Sequence, residues 1–180
     1  MNMFDIYTLE GLHALRDPIT THFFLFVTEL GDTLIIGSIA LIFGLYLIIR
    51  ERLSFFAGLV TSLVGTGLIV FTLKDLIARA RPDAAYQAYL ETGFSLPSGH
   101  ASLSLALYGF LAYFLWKEYP ARRRLFVALL GTLVVLISFS RLYLGVHFLS
   151  DVLVAHLIAG LFLALGIFVA ERLSRHSILF

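Results

Sequence analysis

Residues 138–151 read SFSRLYLGVHFLSD and lie between two almost unbroken apolar runs. This stretch contains a cation, an imidazole and a carboxylate, in Arg141, His147 and Asp151. Ionisable side chains are costly to place in or beside a lipid bilayer, and those that do occur there usually have a function. The stretch therefore predicts a polar functional site at the edge of a membrane-embedded helical protein.

The composition indicates a membrane protein. Of the 180 residues, 59% are hydrophobic and only 14% are charged, whereas soluble domains carry about 25% charged residues. One soluble core of this size cannot bury so much apolar surface, so lipid must solvate much of it. The lack of cysteine excludes disulfides and thiolate metal sites. We expect no removable signal peptide, because no basic segment precedes an apolar core. With no internal repeat or long linker, residues 1–180 are predicted to form one domain.

The apolar runs predict an all-α integral membrane bundle with five clear transmembrane helices, at about 33–49, 53–73, 100–116, 125–142 and 151–170. Before them, residues 4–15 are amphipathic at helical spacing, which is typical of a helix that lies at the membrane interface. Residues 19–30 are apolar but short, because they give roughly 18 Å of helix against a hydrocarbon core of about 30 Å. This second segment is either a tilted, half-inserted helix or a sixth span that extends back through Pro18.

The connectors between these spans divide the charges between two faces. One face holds most of the Lys and Arg side chains, in the segments 50–52, 117–124 and 171–180. The positive-inside rule makes this face cytoplasmic. The loop 74–99 and the link 143–150 then lie together on the other side. We therefore predict interfacial or short helices over 1–32, a transmembrane core over 33–171 and an active-site loop over 74–99. The expected location is the plasma (inner) membrane, with the site facing away from the cytoplasm.

Three cations on the sparsely charged face point to an anionic ligand. Lys74, Arg81 and Arg141 each lie at the membrane-edge end of an apolar run or just beyond it. A single cation in such a place is commonly a snorkelling side chain. Three on one side are better explained by a phosphate, which requires positive charge and bidentate donors. The same cations disfavour a metal ion, although the nearby His and Asp side chains could in principle bind one.

The tetrapeptide PSGH, residues 97–100, opens the third predicted span. Ser98 is a candidate N-cap, and the free N–H groups of a helix start form an anion site. Gly99 allows the backbone to approach a ligand closely. On its own, however, the tetrapeptide is better explained by an ordinary capped helix start that leaves His100 exposed at the interface.

His147 and Asp151 are four residues apart, which places them on one face if the turn is helical. Alternatively, Ser150 caps the helix that starts near Asp151, and His147 folds back over it. In either arrangement the carboxylate would fix the imidazole tautomer and make the far nitrogen more basic. A neutral, oriented imidazole can attack phosphorus directly. The competing interpretation is a purely structural hydrogen bond at the membrane edge.

The spacing of these motifs is specific when they are taken together. Lys74 is followed after six residues by Arg81-Pro82, then by Pro97-Ser98-Gly99-His100, then by Ser140-Arg141, with five residues before His147 and three more before Asp151. This pattern resembles the three-part signature of the type 2 phosphatidic acid phosphatase (PAP2) superfamily. The resemblance implies a membrane-embedded helical bundle that hydrolyses phosphomonoesters or diphosphates of lipids, without a metal or another cofactor.

The resemblance also implies a role for each residue of the pattern. His147 would be the nucleophile that forms a phosphohistidine, Asp151 would orient it, and His100 would protonate the leaving group. The phosphoryl oxygens would be held by Lys74, Arg81, Ser98, Gly99 and Arg141. Arg79 lies in the same loop but outside the pattern, and we expect it to touch a lipid headgroup or only water.

The expected substrate is a membrane lipid phosphate: undecaprenyl (polyprenyl) diphosphate, phosphatidylglycerophosphate, phosphatidate or lipid A 1-phosphate. An outward-facing site weakly favours polyprenyl diphosphate or a broad substrate range. A vanadium haloperoxidase shares the phosphate-site residues but is a soluble protein. A non-catalytic phospholipid-binding or transport protein would require only the basic residues, and a bundle without a site would leave three motifs as coincidences. We expect the lipid bilayer as partner and no nucleic acid.

Overall fold

The computed structural model describes residues 3–176, and over this range it contains seven α-helices and no strand. The predicted all-α membrane bundle is confirmed. The helices are α1 (Met3–Ala14), α2 (Pro18–Glu29), α3 (Thr33–Ile49), α4 (Leu53–Ile77), α5 (Gly99–Glu118), α6 (Arg123–Tyr143) and α7 (Leu149–His176). Short 3-10 turns, Ala84–Tyr86 and Pro120–Arg122, lie in the connectors before α5 and α6. The last four residues of the expected basic tail, 177–180, lie outside the described residues.

Local sequence signals set the ends of the N-terminal helices. The carboxylate of Asp17 accepts hydrogen bonds from the backbone N–H groups of Ile19 (2.9 Å) and Thr20 (3.1 Å), so it caps α2. Pro18 occupies the first helical position, where its missing N–H has no cost. Asp32 caps α3 in the same way. The chain therefore breaks between α1 and α2 and again between α2 and α3.

The number of candidate spans is smaller than the five expected. Within the described range, α4, α6 and α7 are long and apolar enough to cross a membrane, and α2 with α3 qualifies as one further pair, bent by 42°. The predicted span at 100–116 forms α5, which is not among the helices apolar enough to cross a membrane. Half of the α5 residues, ten of 20, are buried within the protein, and Ser102 and Ser104 hydrogen-bond to the backbone of the helix start and of α5 itself. A helix enclosed by its neighbours does not need a lipid-facing apolar surface.

The helices bring all the predicted site residues to one end of the bundle. Helices α4 and α6 end there, and α5 and α7 begin there. The loop 78–98 folds over this end, where the N–H of Ala88 donates to the carbonyl of Leu144 over 2.9 Å. At the opposite end, Arg52 and Glu118 form an exposed ion pair of 3.1 Å.

Helices α4 and α7 cross with their backbones in direct contact. A Cβ atom added at Gly58 would lie 2.6 Å from the carbonyl oxygen of Gly166 and 2.9 Å from Cβ of Ala170. Such contacts are too short for real atoms, so the backbones can approach only because glycine is present. This crossing holds the end of α4 that bears Lys74 beside the start of α7 that bears Asp151.

We expect Gly58→Val to destabilise the protein by about 1–3 kcal/mol, because the new methyl groups overpack a rigid backbone contact. The matched control is Gly160→Val in α7, since a Cβ at Gly160 meets nothing within 4 Å. Thermal unfolding in detergent measures both variants. Equal melting temperatures would show that the crossing is not close in solution.

Candidate active site

Arg141 lies in the last turn of α6 and is completely buried. Its Nη1 donates to the hydroxyl of Thr28 over 2.7 Å and to that of Tyr89 over 2.6 Å. Its Nη2 forms a very short ion pair with Glu91. An unpaired buried charge is strongly destabilising, so these partners are what allow a guanidinium at this depth. Its Nε has no partner among the residues that the structure describes.

Glu91 is the counter-ion of the cationic cluster, and the sequence analysis missed it. One carboxylate oxygen pairs with Arg141, and the other lies 3.9 Å from Nη2 of Arg81. Burial raises the pKa of Glu91, but the charge and hydrogen bond of Arg141, with a hydrogen bond from Tyr89, lower it to about 2. Glu91 is therefore ionised, and its carboxylate faces the guanidinium groups of both Arg81 and Arg141.

Arg81 connects the loop to the candidate nucleophile. Its Nη2 donates to the carbonyl oxygen of Thr92 over 3.0 Å, and its Nη1 donates to that of Val146 over 2.9 Å. The same Nη1 lies 3.1 Å from Nε2 of His147. The predicted proximity of Arg81 and His147 is therefore present, with a donor of the cation directed at the imidazole.

The start of α5 offers unused donors beside this cluster. Ser98 occupies the predicted N-cap position of α5, but its side chain makes no capping hydrogen bond. The expected side-chain cap is therefore absent. Its Oγ is buried and has no partner within the described part of the chain. A Cβ at Gly99 would meet nothing within 4 Å, so open space adjoins this helix start. His100, in the first turn of α5, lies close enough to His147 for their charges to interact. Lys74, at the end of α4, donates a hydrogen bond to the carbonyl oxygen of Phe94 over 2.5 Å.

His147 precedes α7 rather than lying on it, so neither predicted arrangement of the His–Asp pair is correct in detail. Gly145, at φ +68°, turns the chain before it. The carboxylate of Asp151 folds back to accept the backbone N–H of Phe148 over 2.8 Å. This brings Oδ2 of Asp151 to 3.4 Å from Nδ1 of His147. At this separation Nδ1 has no hydrogen-bond partner within the described residues, although the carboxylate of Asp151 faces it.

The surroundings of His147 keep its imidazole neutral. Burial lowers its pKa to about 4, helped by the charges of Arg141 and Arg81 and opposed by the carboxylate of Asp151. Because Nδ1 faces this carboxylate, the proton belongs on Nδ1 and the lone pair on Nε2. The lone pair therefore faces Nη1 of Arg81, at 3.1 Å.

Arg79 is paired with carboxylates inside the protein, whereas the sequence suggested contact with a lipid headgroup or only with water. Its Nη1 donates to Oδ1 of Asp151 over 2.6 Å, and its Nη2 pairs with Asp5 over 2.9 Å. The N-terminal helix α1 therefore reaches the site, although its sequence indicated only an interfacial helix. No spacing rule connects residues 5, 79 and 151, so the sequence contained no signal for this cluster.

A cavity of about 270 Å³ adjoins the site. It is lined by Leu25, Thr28, Glu29, Asp32, Tyr89, Glu91 and His100. The break between α2 and α3 forms one wall, where the hydroxyl of Tyr108 donates to the carbonyl of Leu30 over 2.7 Å. Within residues 3–176, no group of three or more His, Asp and Glu side chains is arranged to hold a metal ion.

The sequence pattern of the PAP2 superfamily matches residues 55–175, which include every residue predicted for the site. The chain therefore belongs to the PAP2 superfamily and is a lipid phosphatase of that class. It is 35% identical over 144 residues to phosphatidylglycerophosphatase B of Bacillus subtilis (strain 168), which covers 77% of this chain and 70% of that protein. It is 36% identical over 83 residues to phosphatidylglycerophosphatase B of Escherichia coli (strain K12), covering 46% of this chain and 32% of that protein.

Solved structures show the same architecture. The crystal structure of the PAP2-type phosphatidylglycerolphosphate phosphatase from Bacillus subtilis has a TM-score of 0.85 and 28% identity, covering 93% of this chain and 85% of that chain. The crystal structure of Aquifex aeolicus LpxE has a TM-score of 0.69 at 23% identity, covering 95% of this chain and 99% of that chain. At this identity it shows the common fold alone.

We expect Glu91→Gln to lower the melting temperature in detergent by several degrees at pH 7, because Arg141 loses its anion. The pKa of Glu91 is about 2 in the folded protein and about 4.3 in an unfolded chain. Its stabilising effect is therefore complete above about pH 4.3 and is lost as the pH falls towards 2. The difference in melting temperature between wild type and Glu91→Gln should therefore be smaller at pH 3 than at pH 5.

The matched control for this variant is Glu118→Gln, which removes an exposed ion pair at the other end of the bundle. Exposed pairs contribute little to stability, so its melting temperature should stay close to that of wild type. If the difference in melting temperature between wild type and Glu91→Gln is the same at pH 5 and pH 3, the assigned ionisation of Glu91 is contradicted.

Proposed function

We propose that this phosphatase removes the terminal phosphate of phosphatidylglycerophosphate, or of a closely similar lipid phosphate, through a phosphohistidine on His147. The observation that carries the proposal is the position of the His147 imidazole, which is neutral and buried. Its Nδ1 faces the carboxylate of Asp151, and its Nε2 lies 3.1 Å from a guanidinium nitrogen of Arg81. An orienting carboxylate and a phosphate-binding cation therefore flank one nucleophilic atom.

The phosphate would bind where Glu91 now contacts the two guanidinium groups. Arg81 and Arg141 would each turn donors from protein oxygens to phosphoryl oxygens. The unused hydroxyl of Ser98 and the first N–H groups of α5 add neutral donors beside the open space at Gly99. These groups, with the charge of Lys74, would stabilise the negative charge that develops on the equatorial oxygens.

The reaction would proceed in two displacements. In the first, His100 enters as the imidazolium, having taken up a proton as the anionic phosphate binds beside it. Nε2 of His147 bonds to phosphorus, the bond to the lipid oxygen breaks, and His100 gives that oxygen its proton. Asp151 stabilises the positive charge that forms on the imidazole. In the second, water attacks phosphorus and gives its proton to His100, and the phosphorus–nitrogen bond breaks. Inorganic phosphate leaves, and both histidines return to their starting state.

The cavity beside His100 is the place for the leaving group. Its lining contains the carboxylates of Glu29, Asp32 and Glu91. Carboxylates accept hydrogen bonds from hydroxyl groups and repel a second phosphate. A glycerol leaving group therefore fits better than the phosphate that a polyprenyl diphosphate would leave. The names of the relatives from Bacillus subtilis and Escherichia coli support the same substrate.

The test is phosphate release by the detergent-purified protein in EDTA. We expect turnover of phosphatidylglycerophosphate above phosphatidate, polyprenyl diphosphate and a lipid A phosphate. His147→Ala should lower kcat by about 10³-fold or more, because the nucleophile is lost. The matched control is His156→Ala, since His156 hydrogen-bonds to Ser138 within the bundle, over 2.8 Å.

Several results would reject this proposal. Full activity of His147→Ala would exclude His147 as the nucleophile, and loss of activity in EDTA would exclude a metal-independent reaction. Binding of these lipids without phosphate release would favour the non-catalytic alternative. A preference for polyprenyl diphosphate would leave the mechanism in place but would reject the role given to the acidic lining.

We further propose that the site faces away from the cytoplasm. The opposite end of the bundle carries Arg50, Arg52, Lys117, Arg122, Arg123 and Arg124, which the positive-inside rule assigns to the cytoplasm. In this orientation, substrate reaches the site from the outer leaflet, and its phosphate is released outside the cell membrane.

The cysteine-free sequence allows a direct test of this orientation. Ala84 lies in the loop over the site and Ala121 in the connector at the opposite end, and both are exposed. We expect a membrane-impermeant maleimide to label Ala84→Cys in intact spheroplasts, and to label Ala121→Cys only after permeabilisation. The reverse pattern would place the site on the cytoplasmic side.

A further inference from the structure

Arg79 lies between two carboxylates and outside the recognised sequence pattern. Its Nη1 donates to Oδ1 of Asp151 over 2.6 Å and to Oγ of Ser150 over 2.7 Å. Its Nη2 donates to Asp5 over 2.9 Å. Its guanidinium carbon also lies 4.4 Å from the centre of the Phe148 ring, which covers one face of the cation. The side chain is therefore held from several directions in one orientation.

Asp5 is an unusual residue for an interfacial helix, because it is only 2% exposed. It accepts the backbone N–H of Ser150 over 2.9 Å and the hydroxyl of Ser150 over 2.7 Å. Burial raises the pKa of Asp5, but these hydrogen bonds and the one from Arg79 outweigh it and lower the pKa. An ionised carboxylate on α1 thus fixes both Arg79 and the start of α7.

The two oxygens of Asp151 have separate partners. Oδ1 accepts from Arg79. Oδ2 accepts the backbone N–H of Phe148 and the hydroxyl of Ser95, each over 2.8 Å, and it faces Nδ1 of His147. Rotation of the carboxylate would exchange these partners, so the bond from Arg79 keeps Oδ2 directed at the imidazole.

We propose that Arg79 and Asp5 are positioning residues for phosphate transfer. Asp5 holds Arg79, Arg79 holds Asp151, and Asp151 orients His147, so that docked α1 becomes a required part of the active site. This inference rests on the proposed role of His147 as nucleophile. It explains a buried charge cluster for which neither phosphate binding nor proton transfer has a use.

Arg79 also regulates how strongly Asp151 acts on His147. The charged and titratable groups around His147 are Asp151 from α7, Arg141 from α6, His100 from α5, and Arg81 and Glu91 from the loop. The cation of Arg79 offsets part of the charge of Asp151, which would otherwise make the imidazole more basic. Removing Arg79 should therefore raise the pKa of His147, and removing the charge of Asp5 should lower it.

The experiment compares Arg79→Gln and Asp5→Asn with wild type on the preferred lipid phosphate. We expect kcat to fall about 10–100-fold in each, the usual range for partners of a reacting side chain. KM should stay within about twofold, because neither side chain contacts the phosphate. The acid limb of kcat/KM should move to higher pH in Arg79→Gln and to lower pH in Asp5→Asn. A merely structural role would not shift the two limbs in opposite directions.

Two further variants test whether Asp5 and Arg79 act in series and whether the effect is local to the site. The double variant should be no slower than Arg79→Gln alone, because the two residues act in series. Arg52→Gln is the matched control, since it removes an exposed arginine ion pair at the far end of the bundle and should leave kcat and the pH profile unchanged.

Melting temperatures in detergent show whether each variant is folded. If Arg79→Gln does not fold, Asp5→Asn, which keeps the side-chain shape, tests the inference alone. Folded variants with wild-type kcat and pH profile would overturn the inference. A rise in KM at constant kcat would also overturn it, by placing Arg79 on the substrate. Loss of the fold in both variants would reduce the cluster to a structural role. Failure of the proposed function itself looks different, because wild type would then release no phosphate or His147→Ala would remain active.

Discussion

The burial of Arg141 is the constraint on which the site depends. A guanidinium that is completely buried at the end of a transmembrane helix must be paired, because an unpaired buried charge costs several kcal/mol. The loop after α4 supplies Tyr89 and Glu91, and α2 supplies Thr28. This demand explains why a long polar loop folds over one end of the bundle instead of extending into water. It also explains why α2 ends beside the site, at the break that leads into α3.

Under the proposed function, the same pairing would prepare the site for a phosphate. Arg81, Arg141 and Lys74 lie close together in a medium of low dielectric, where like charges repel strongly. Glu91 balances part of this charge, and it does so from a loop rather than from a helix. A phosphate bound as proposed would bring the same sign of charge and more acceptor atoms. Exchange of the carboxylate for the phosphate would therefore keep the cluster neutralised at each stage.

The sequence was most informative where chemistry follows short spacing. Helix positions, the PSGH helix start and the pairing of His147 with Asp151 could be predicted because each depends on neighbouring residues. Glu91, Thr28, Asp5 and Arg79 could not, since their partners lie 50 to 145 residues away in the chain and follow no periodic pattern. Five apolar runs were predicted as spans, whereas the described residues contain three helices and one bent pair that are long and apolar enough to cross a membrane. Apolar runs do not show whether lipid or protein surrounds a helix. For α5, the surrounding medium is largely protein.

The site and the positioning cluster form one row of alternating charges across the end of the bundle. In order, the row contains Asp5, Arg79, Asp151, His147, Arg81, Glu91 and Arg141. Every charged member has an opposite charge beside it, and the neutral imidazole lies between a carboxylate and a guanidinium. In the proposed phosphohistidine, the ring of His147 would be positive and the phosphate negative. The carboxylate would then face the positive ring and the guanidinium would face the phosphate, so the row already holds the charges that this intermediate would require.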